Sequence, residues 1–73
     1  MRVPALDARL FWILDAVAVY GFVARDHLVR RFGLSARQAS ADLAEAARRH
    51  PDRLQYNAQT RRYEGQPRRL PSG

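Results

Sequence analysis

The sequence predicts a mainly helical domain that carries a small β-hairpin near its end, and three observations predict this fold class. Apolar residues recur at helical spacing in three segments, at about 6–20, 25–32 and 36–49. The period then changes to alternation over about 54–56 and 61–64, with turn-forming residues between the two runs. Finally, a chain of 73 residues has room for one hydrophobic core and not for two.

The first predicted helix, about 6–20, is apolar around most of its circumference. At 3.6 residues per turn its core stripe consists of Leu6, Leu10, Leu14, Val17 and Ala18, with Phe11 and Ile13 at the margins. The opposite side is also apolar and carries Ala8, Trp12, Ala16 and Val19. A helix that is apolar on two sides is usually covered on both. We therefore expect the face formed by Trp12, Ala16 and Val19 to pack on a second protein surface.

The second and third predicted helices are separated by only three residues, Gly33 to Ser35. Gly33 stands where a residue in the left-handed conformation ends a helix. Ser35 can accept a hydrogen bond from the Gln38 backbone N–H while the Gln38 side chain reaches back, which is a Ser-x-x-Gln capping box. Pro51 discourages continuation of the third helix. Two short helices joined by such a turn are typical of a helix-turn-helix.

The order of the predicted elements is helix, short strand at 22–23, helix, helix and hairpin, which is that of the winged helix-turn-helix. The hairpin is too short to be stable alone, so we expect it to pair with residues 22–23 and to pack its tyrosines on the helices. Residues 1–65 are assigned to this domain. Residues 66–73 have the composition of a linker and are predicted to form a flexible tail.

The positive charge of the chain lies after the first helix. The formal net charge is +6, and all 13 basic residues are arginine. Residues 1–24 are balanced, whereas 11 arginines oppose five acidic residues from Arg25 onward. Codon bias of a GC-rich genome can explain the preference for arginine over lysine, but it does not explain this placement. The charge distribution therefore indicates an anionic partner for this part of the chain. Combined with the predicted helix-turn-helix, it favours double-stranded DNA as that partner.

The outer face of the third helix is predicted to read DNA, because the first turns of such a helix enter the major groove. Arg37 can fork onto guanine, Gln38 onto adenine, and Ala41 can allow close approach or touch a thymine methyl group. Predicted contacts to the DNA backbone are Ser35, Ser40, Arg25, Arg30, Arg31, Arg48, Arg61 and Arg62. Two acidic residues on this helix are given other roles: Glu45 is expected to pair with Arg48 or Arg49, and Asp42 to anchor an arginine of the second helix.

Several function classes lack support in the sequence. His27 and His50 have no partners at metal-ligand spacing and are taken as structural or surface residues. No catalytic set or phosphate-binding glycine loop is visible, so we expect no enzyme, no metal and no cofactor. The longest apolar run, 10–22, contains Asp15 and is too short to span a bilayer. With no signal peptide and no cysteine, we expect a soluble protein of the cytoplasm.

A set of short motifs supports a family resemblance over residues 9–65. The motifs are Arg9-Leu10-Phe11-Trp12, Gly21-Phe22-Val23, Arg25-x-x-Leu28, Phe32-Gly33-Leu34-Ser35, Gln38-Ala39-Ser40-x-Asp42-Leu43, Pro51-x-x-Leu54-x-Tyr56 and Arg62-Tyr63. This pattern resembles the N-terminal winged helix of WYL-domain transcriptional regulators, including repressors found beside phage-defence genes, and more distantly DeoR-type proteins. The resemblance implies a transcriptional repressor of the bacterial nucleoid. Together with the second apolar face of the first helix, it indicates a homodimer through Trp12, Ala16 and Val19 that binds an inverted repeat. Members usually continue into a ligand-sensing and a dimerisation domain, so the chain is either an excised domain or a stand-alone regulator.

Two positions depart from the family pattern. Ala24 stands where a capping Ser, Thr or Asn is expected, which weakens the start of the second helix by about 1 kcal/mol. Ala47 stands where an aromatic residue often follows the Asp-Leu pair. Two other functions also stay open. One is a protein-interaction winged helix that docks a partner on Trp12, and the other is an accessory protein that binds nucleic acid without sequence preference.

Overall fold

A computed structural model describes residues 4–65, and both the predicted tail at 66–73 and residues 1–3 lie outside the described residues. The elements are α1 (Leu6–Tyr20), β1 (Phe22–Val23), α2 (Arg25–Phe32), α3 (Ala36–Arg49), β2 (Leu54–Asn57) and β3 (Arg62–Gly65). All three predicted helices are confirmed at their predicted bounds. The architecture is a winged helix-turn-helix, as predicted, and we call the hairpin β2–β3 with its turn at 58–61 the wing.

The three short strands form one antiparallel sheet in the order β1-β3-β2. Tyr63 in the central strand lies opposite both Val23 of β1 and Tyr56 of β2. The expected pairing of residues 22–23 with the hairpin is therefore confirmed. The second wing strand begins at Arg62 rather than Arg61, because Arg61 belongs to the turn with a φ of 58°.

The core lies where the three helices and the sheet meet, and its buried side chains are Leu10, Ile13, Val17, Val23, Leu28, Leu34, Ala39, Leu43, Ala46 and Leu54. On α1 the buried stripe differs from the predicted one. Phe11 is 74% exposed and Ala18 is exposed, whereas Ile13 is fully buried and Ala16 is 6% exposed. The stripe has turned toward the side of Arg9 and Ala16, where Arg9 binds α3 through Asp42.

This rotation changes the apolar face that was expected to meet a second protein. Ala16 is buried within the domain, and Trp12 is half-buried against Phe32, with the two rings edge-to-face at 5.5 Å between centroids. Of the three predicted residues only Val19, at 65% exposure, lies open to solvent. The exposed large apolar side chains of α1 are Phe11, Val19 and Tyr20.

Two glycines hold the helices and the wing in place. Gly33 ends α2 in the left-handed conformation with a φ of 69°, as predicted, and its N–H donates to the Val29 carbonyl. Gly65 lies so close to α1 that an added Cβ would come within 2.8 Å of the Val17 side chain. Its N–H also donates to the Gly21 carbonyl at 2.9 Å, which ties the end of the wing to the end of α1.

Candidate nucleic-acid interface

The start of α3 is capped by Ser35, whose hydroxyl accepts from the Gln38 backbone N–H at 3.1 Å. The other half of the predicted capping box is absent. Instead, the Gln38 side chain donates through Nε2 to Oδ1 of Asp42, one turn further along the helix, at 2.8 Å. Hydrogen bonds with one ionised partner are roughly twice as strong as those between neutral groups, so the bond to Asp42 is favoured over a bond from the Ser35 backbone N–H to the neutral Gln38 amide oxygen. The predicted return of Gln38 to the Ser35 backbone is therefore wrong.

Asp42 is the one buried charged side chain among the described residues, at 1% exposure. It accepts two hydrogen bonds from Arg9, from Nε at 2.5 Å and from Nη2 at 3.1 Å. The expected partner on α2 is thus wrong, because the arginine comes from α1. Nη1 of Arg9 in turn donates to the Pro4 carbonyl at 2.7 Å. The hydrogen bonds to Asp42 raise the pKa of Arg9, while burial opposes the shift.

This ion pair compensates the burial of the Asp42 carboxylate. Removing a carboxylate from water costs several kcal/mol unless a partner and further hydrogen bonds replace the lost solvent. Asp42 has three such hydrogen bonds, and no buried side-chain nitrogen or oxygen within residues 4–65 lacks a partner. Sequence reasoning missed the pair because its members are 33 positions apart, and no local pattern links them.

The three predicted base readers, Arg37, Gln38 and Ala41, are all exposed in the first two turns of α3. We call them the reading face. Arg37 forms no ion pair with any residue in the range 4–65, so its guanidinium is not engaged by a described carboxylate. Ser40 is exposed as well, on the side of α3 that meets the wing.

A groove of about 320 Å³ runs between the start of α2, α3 and the wing. Four of the predicted DNA-backbone contacts line it, and they are Arg25, Ser40, Arg61 and Arg62. Tyr56 and Tyr63 also line it, with 5.1 Å between their ring centroids. Burial raises the pKa of Tyr63, and the neighbouring Tyr56 adds to the shift. We call this the wing groove; its lining also includes Ala24, Leu43 and the acidic Asp26, so that three arginines and one carboxylate lie there next to the reading face.

The turn of the wing is built around Asn57. Its Oδ1 accepts from the N–H groups of Gln59 at 2.9 Å and Thr60 at 3.3 Å, while Arg61 N–H donates to its carbonyl at 2.7 Å. Arg61 adopts the left-handed conformation, which costs a residue with a side chain about 1 kcal/mol or more. The wing thus holds an exposed arginine at a backbone position that favours glycine.

Arg62 is held more tightly than a free wing-tip residue would be. Its guanidinium lies over the Phe22 ring, 4.0 Å from the centroid, and its Nε lies 3.3 Å from Oε2 of Glu64. Hydrogen bonds from Asn57, Thr60 and Arg62 lower the pKa of Glu64, in that order of importance. Sequence reasoning missed this network, and the position of Asn57 at the start of the turn was its only local signal.

Arg48 shares a carboxylate with Arg49 at the end of α3. Glu45 accepts from Nη2 of Arg48 and from Nε of Arg49, each at 2.5 Å. The expected pairing of Glu45 is confirmed with both arginines. Hydrogen bonds from Arg48, and then from Arg49, lower the pKa of the Glu45 carboxyl to about 2.

Arg30 and Arg31 lie elsewhere. Together they flank a second groove, of about 540 Å³, between α1 and α2, lined also by Trp12, Ala16, Tyr20, Phe22 and His27. This α1–α2 groove shares no lining residue with the wing groove. Four of the eight predicted backbone contacts thus lie in the wing groove and two on a largely apolar groove, while Ser35 and Arg48 lie at the start and end of α3, outside both grooves.

The start of α2 has only the second half of a capping box, which a histidine supplies. Ala24 has no side-chain acceptor, but its own N–H donates to Nδ1 of His27 at 3.1 Å, the third residue of the helix. The His27 ring also lies against Phe22, 5.7 Å between centroids. His27 therefore has a structural role, which offsets part of the loss expected at Ala24. Within the described range, no group of three or more potential metal ligands lies together.

Comparison with known proteins agrees with this architecture. The family model of the BrxR transcriptional regulator winged helix-turn-helix domain matches residues 6–70. No curated protein matches the chain. Of the described helices, none is long and apolar enough to cross a membrane. BrxR is a WYL-domain regulator associated with defence, so the match implies DNA binding in transcription regulation. The chain belongs to the family of BrxR transcriptional regulator winged helix-turn-helix domains.

Proposed function

We propose that this chain is a sequence-specific double-stranded DNA-binding domain of a repressor that binds an inverted repeat as a dimer. One observation carries the proposal. The reading face of α3 is exposed beside the wing groove, where Arg25, Arg61 and Arg62 gather cationic groups for a phosphate backbone. Family membership supports DNA binding in general, and the base preference, the repression and the dimer are our proposals.

In the proposed complex the first turns of α3 enter the major groove. Arg37 forks onto guanine, Gln38 reads adenine, and Ala41 lies against a thymine methyl group. Ser35 and Ser40 donate to phosphates beside them, together with the arginines of the wing groove. Arg48 contributes less, because Glu45 already occupies part of its guanidinium.

The proposed dimer uses the outer surface of α1. Because Ala16 is buried and Trp12 packs on Phe32, we move the centre of this surface to Phe11 and Val19. Both are exposed apolar side chains on one helix, and exposed Asp15 lies between them. A monomer in sedimentation at concentrations at which the chain binds DNA would exclude this dimer.

Selection of bound duplexes from a random library tests the proposal. We expect an enriched inverted repeat whose half-sites contain a guanine and an adenine, and an affinity that falls steeply with salt. Arg37→Ala should relax the preference at the guanine. The matched control is Arg53→Ala, which removes the same charge from an exposed turn residue outside both grooves.

Binding that depends on salt but shows no enriched sequence would support the alternative of nonspecific nucleic-acid binding. The second alternative, a protein-interaction winged helix, is favoured by the α1–α2 groove. Its floor is apolar, and Arg30 and Arg31 flank it. These features fit a peptide segment of a partner protein that has an apolar side chain between two carboxylates. Absence of DNA binding at low salt, together with a protein partner that is lost in the double variant Arg30→Glu/Arg31→Glu, would establish that alternative.

A further inference from the structure

We propose that Asp42 is a positioning residue for base recognition, since its buried carboxylate orients the Gln38 amide so that the amide presents one defined edge to DNA. This inference rests on the proposed function, because it concerns how the reading face discriminates bases. Part of the preference for adenine is thereby assigned to Asp42, a side chain that does not itself contact DNA.

The first step is the direction of the Gln38 amide. A free glutamine amide can turn its oxygen or its nitrogen toward a neighbour. Both oxygens of Asp42 accept from Arg9, Oδ2 from Nε and Oδ1 from Nη2, so each oxygen of this carboxylate acts as an acceptor. The 2.8 Å contact from Gln38 to Oδ1 of Asp42 therefore requires that the amide nitrogen faces inward. The amide oxygen is left on the solvent side.

The second step is what the amide still offers. One N–H of Nε2 is used by Asp42, and the other N–H and the oxygen remain free. Adenine is recognised by an acceptor for its N6 amino group and a donor for its N7. The free amide oxygen of Gln38 is such an acceptor, and the free N–H is such a donor. The contact with Asp42 and the contact with adenine therefore do not compete. A capping box would instead have engaged the amide oxygen.

The third step is that the Asp42 carboxylate is rigidly held and its charge is neutralised. Asp42 is fully buried, and Arg9, itself largely buried, binds it through two N–H groups. The carboxylate therefore holds one position, and Gln38 loses rotamer freedom on folding rather than on binding, which favours association. Arg9 also neutralises a negative charge that would otherwise repel phosphates from α3.

The test measures an affinity ratio in the wild type, Gln38→Ala, Asp42→Asn and the double variant. The ratio compares a selected duplex with one in which the adenine read by Gln38 is replaced. We expect roughly tenfold discrimination or more in the wild type. We expect most of it to be lost in both single variants, with no further loss in the double variant. The matched control is Glu45→Gln, which changes another α3 carboxylate and should leave the ratio unchanged.

This ratio separates positioning from stability. A purely structural role for Asp42 would lower the folded fraction and so the affinity for both duplexes equally. A ratio that stays at the wild-type value in Asp42→Asn would overturn the inference and leave the proposed function standing. A wild type that discriminates at no position would overturn both.

A second measurement covers the case in which Asp42→Asn does not fold. The Nε2 protons of Gln38 in the wild type are observed by ¹⁵N NMR and assigned by their loss in Gln38→Ala. We expect one of them to exchange with water more slowly than those of Gln59, whose side-chain amide has no hydrogen bond among the described residues. Equal exchange at both glutamines would contradict the proposed orientation.

Discussion

The wing groove and the α1–α2 groove each carry at least two exposed arginines, but the side chains around those arginines differ. The wing groove combines Arg25, Arg61 and Arg62 with Ser40 beside the reading face. The α1–α2 groove sets Arg30 and Arg31 at the edge of an aromatic and aliphatic floor. The charge distribution in the sequence predicts phosphate contacts for the arginines of both grooves alike. The comparison teaches that the fold, rather than the net charge, determines which arginines lie together beside the reading face.

The strongest way to break this comparison is to remove two charges from either groove. Arg25→Ala/Arg61→Ala should weaken DNA binding by about 3 kcal/mol, roughly 100-fold at low salt, because two charge-assisted hydrogen bonds are lost. The slope of log affinity against log salt should fall by about 2. Fluorescence anisotropy over a salt series measures both quantities.

The matched control is Arg30→Ala/Arg31→Ala, which removes the same charge from the α1–α2 groove. We expect a loss of about threefold or less, since these arginines act on DNA only through screened long-range attraction. Equal losses in the two double variants would show that net charge, and not its location, governs binding.

Trp12 tests the structural part of the comparison. Trp12→Ala should lower the free energy of unfolding by about 2 kcal/mol, because a half-buried aromatic side chain and its contact with Phe32 are lost. Urea denaturation followed by circular dichroism measures this change. The ratio between affinities for selected and scrambled duplexes should stay unchanged at temperatures at which the variant is folded. A changed ratio would place the α1–α2 groove in DNA recognition.

Substitutions at Arg61 test whether the left-handed conformation of this residue lowers the stability of the domain. Arg61→Gly should raise the free energy of unfolding by about 0.5 kcal/mol relative to Arg61→Ala, since glycine tolerates a φ of 58° although it gains entropy when unfolded. Both variants should lose the same DNA affinity and about 1 in the salt slope. A lower stability for Arg61→Gly than for Arg61→Ala would mean that the turn is not strained.

The smallest effect concerns acid stability at the end of α3, away from both grooves. The pKa of Glu45 is about 2 in the folded chain, below its ordinary 4.5, so it stabilises the fold above pH 4.5. That contribution is lost as the pH falls toward 2. Glu45→Gln should therefore flatten the decline of the melting temperature between pH 4.5 and 2, without changing base preference. An unchanged slope would contradict the paired geometry.

The fold was predictable because its signals are local. Gly33, Ser35 and Pro51 mark helix ends within a few positions of the residues they act on, and the alternation around Tyr63 defines the wing. Each of these signals depends on backbone conformation and nearest neighbours, which a single sequence contains. The helix bounds therefore agree with the structure.

The site was only partly predictable because its geometry is tertiary. The reading face follows from helical periodicity, and the structure places it on the surface as expected. The bond between Arg9 and Asp42 joins positions 33 apart, and the buried stripe of α1 includes Ala16 and excludes Ala18, neither of which the periodicity predicts. The same applies to Arg30 and Arg31, whose separation from Arg25 depends on which elements surround each end of α2.

The most direct test of the central claim, that the reading face of α3 recognises base pairs, is a position-by-position affinity profile of the selected half-site. It is measured for the wild type, Arg37→Ala and Gln38→Ala. We predict that each variant loses preference at one position, a guanine for Arg37 and an adenine for Gln38, and retains the wild-type profile elsewhere. Profiles that fall uniformly at all positions in both variants would contradict the claim.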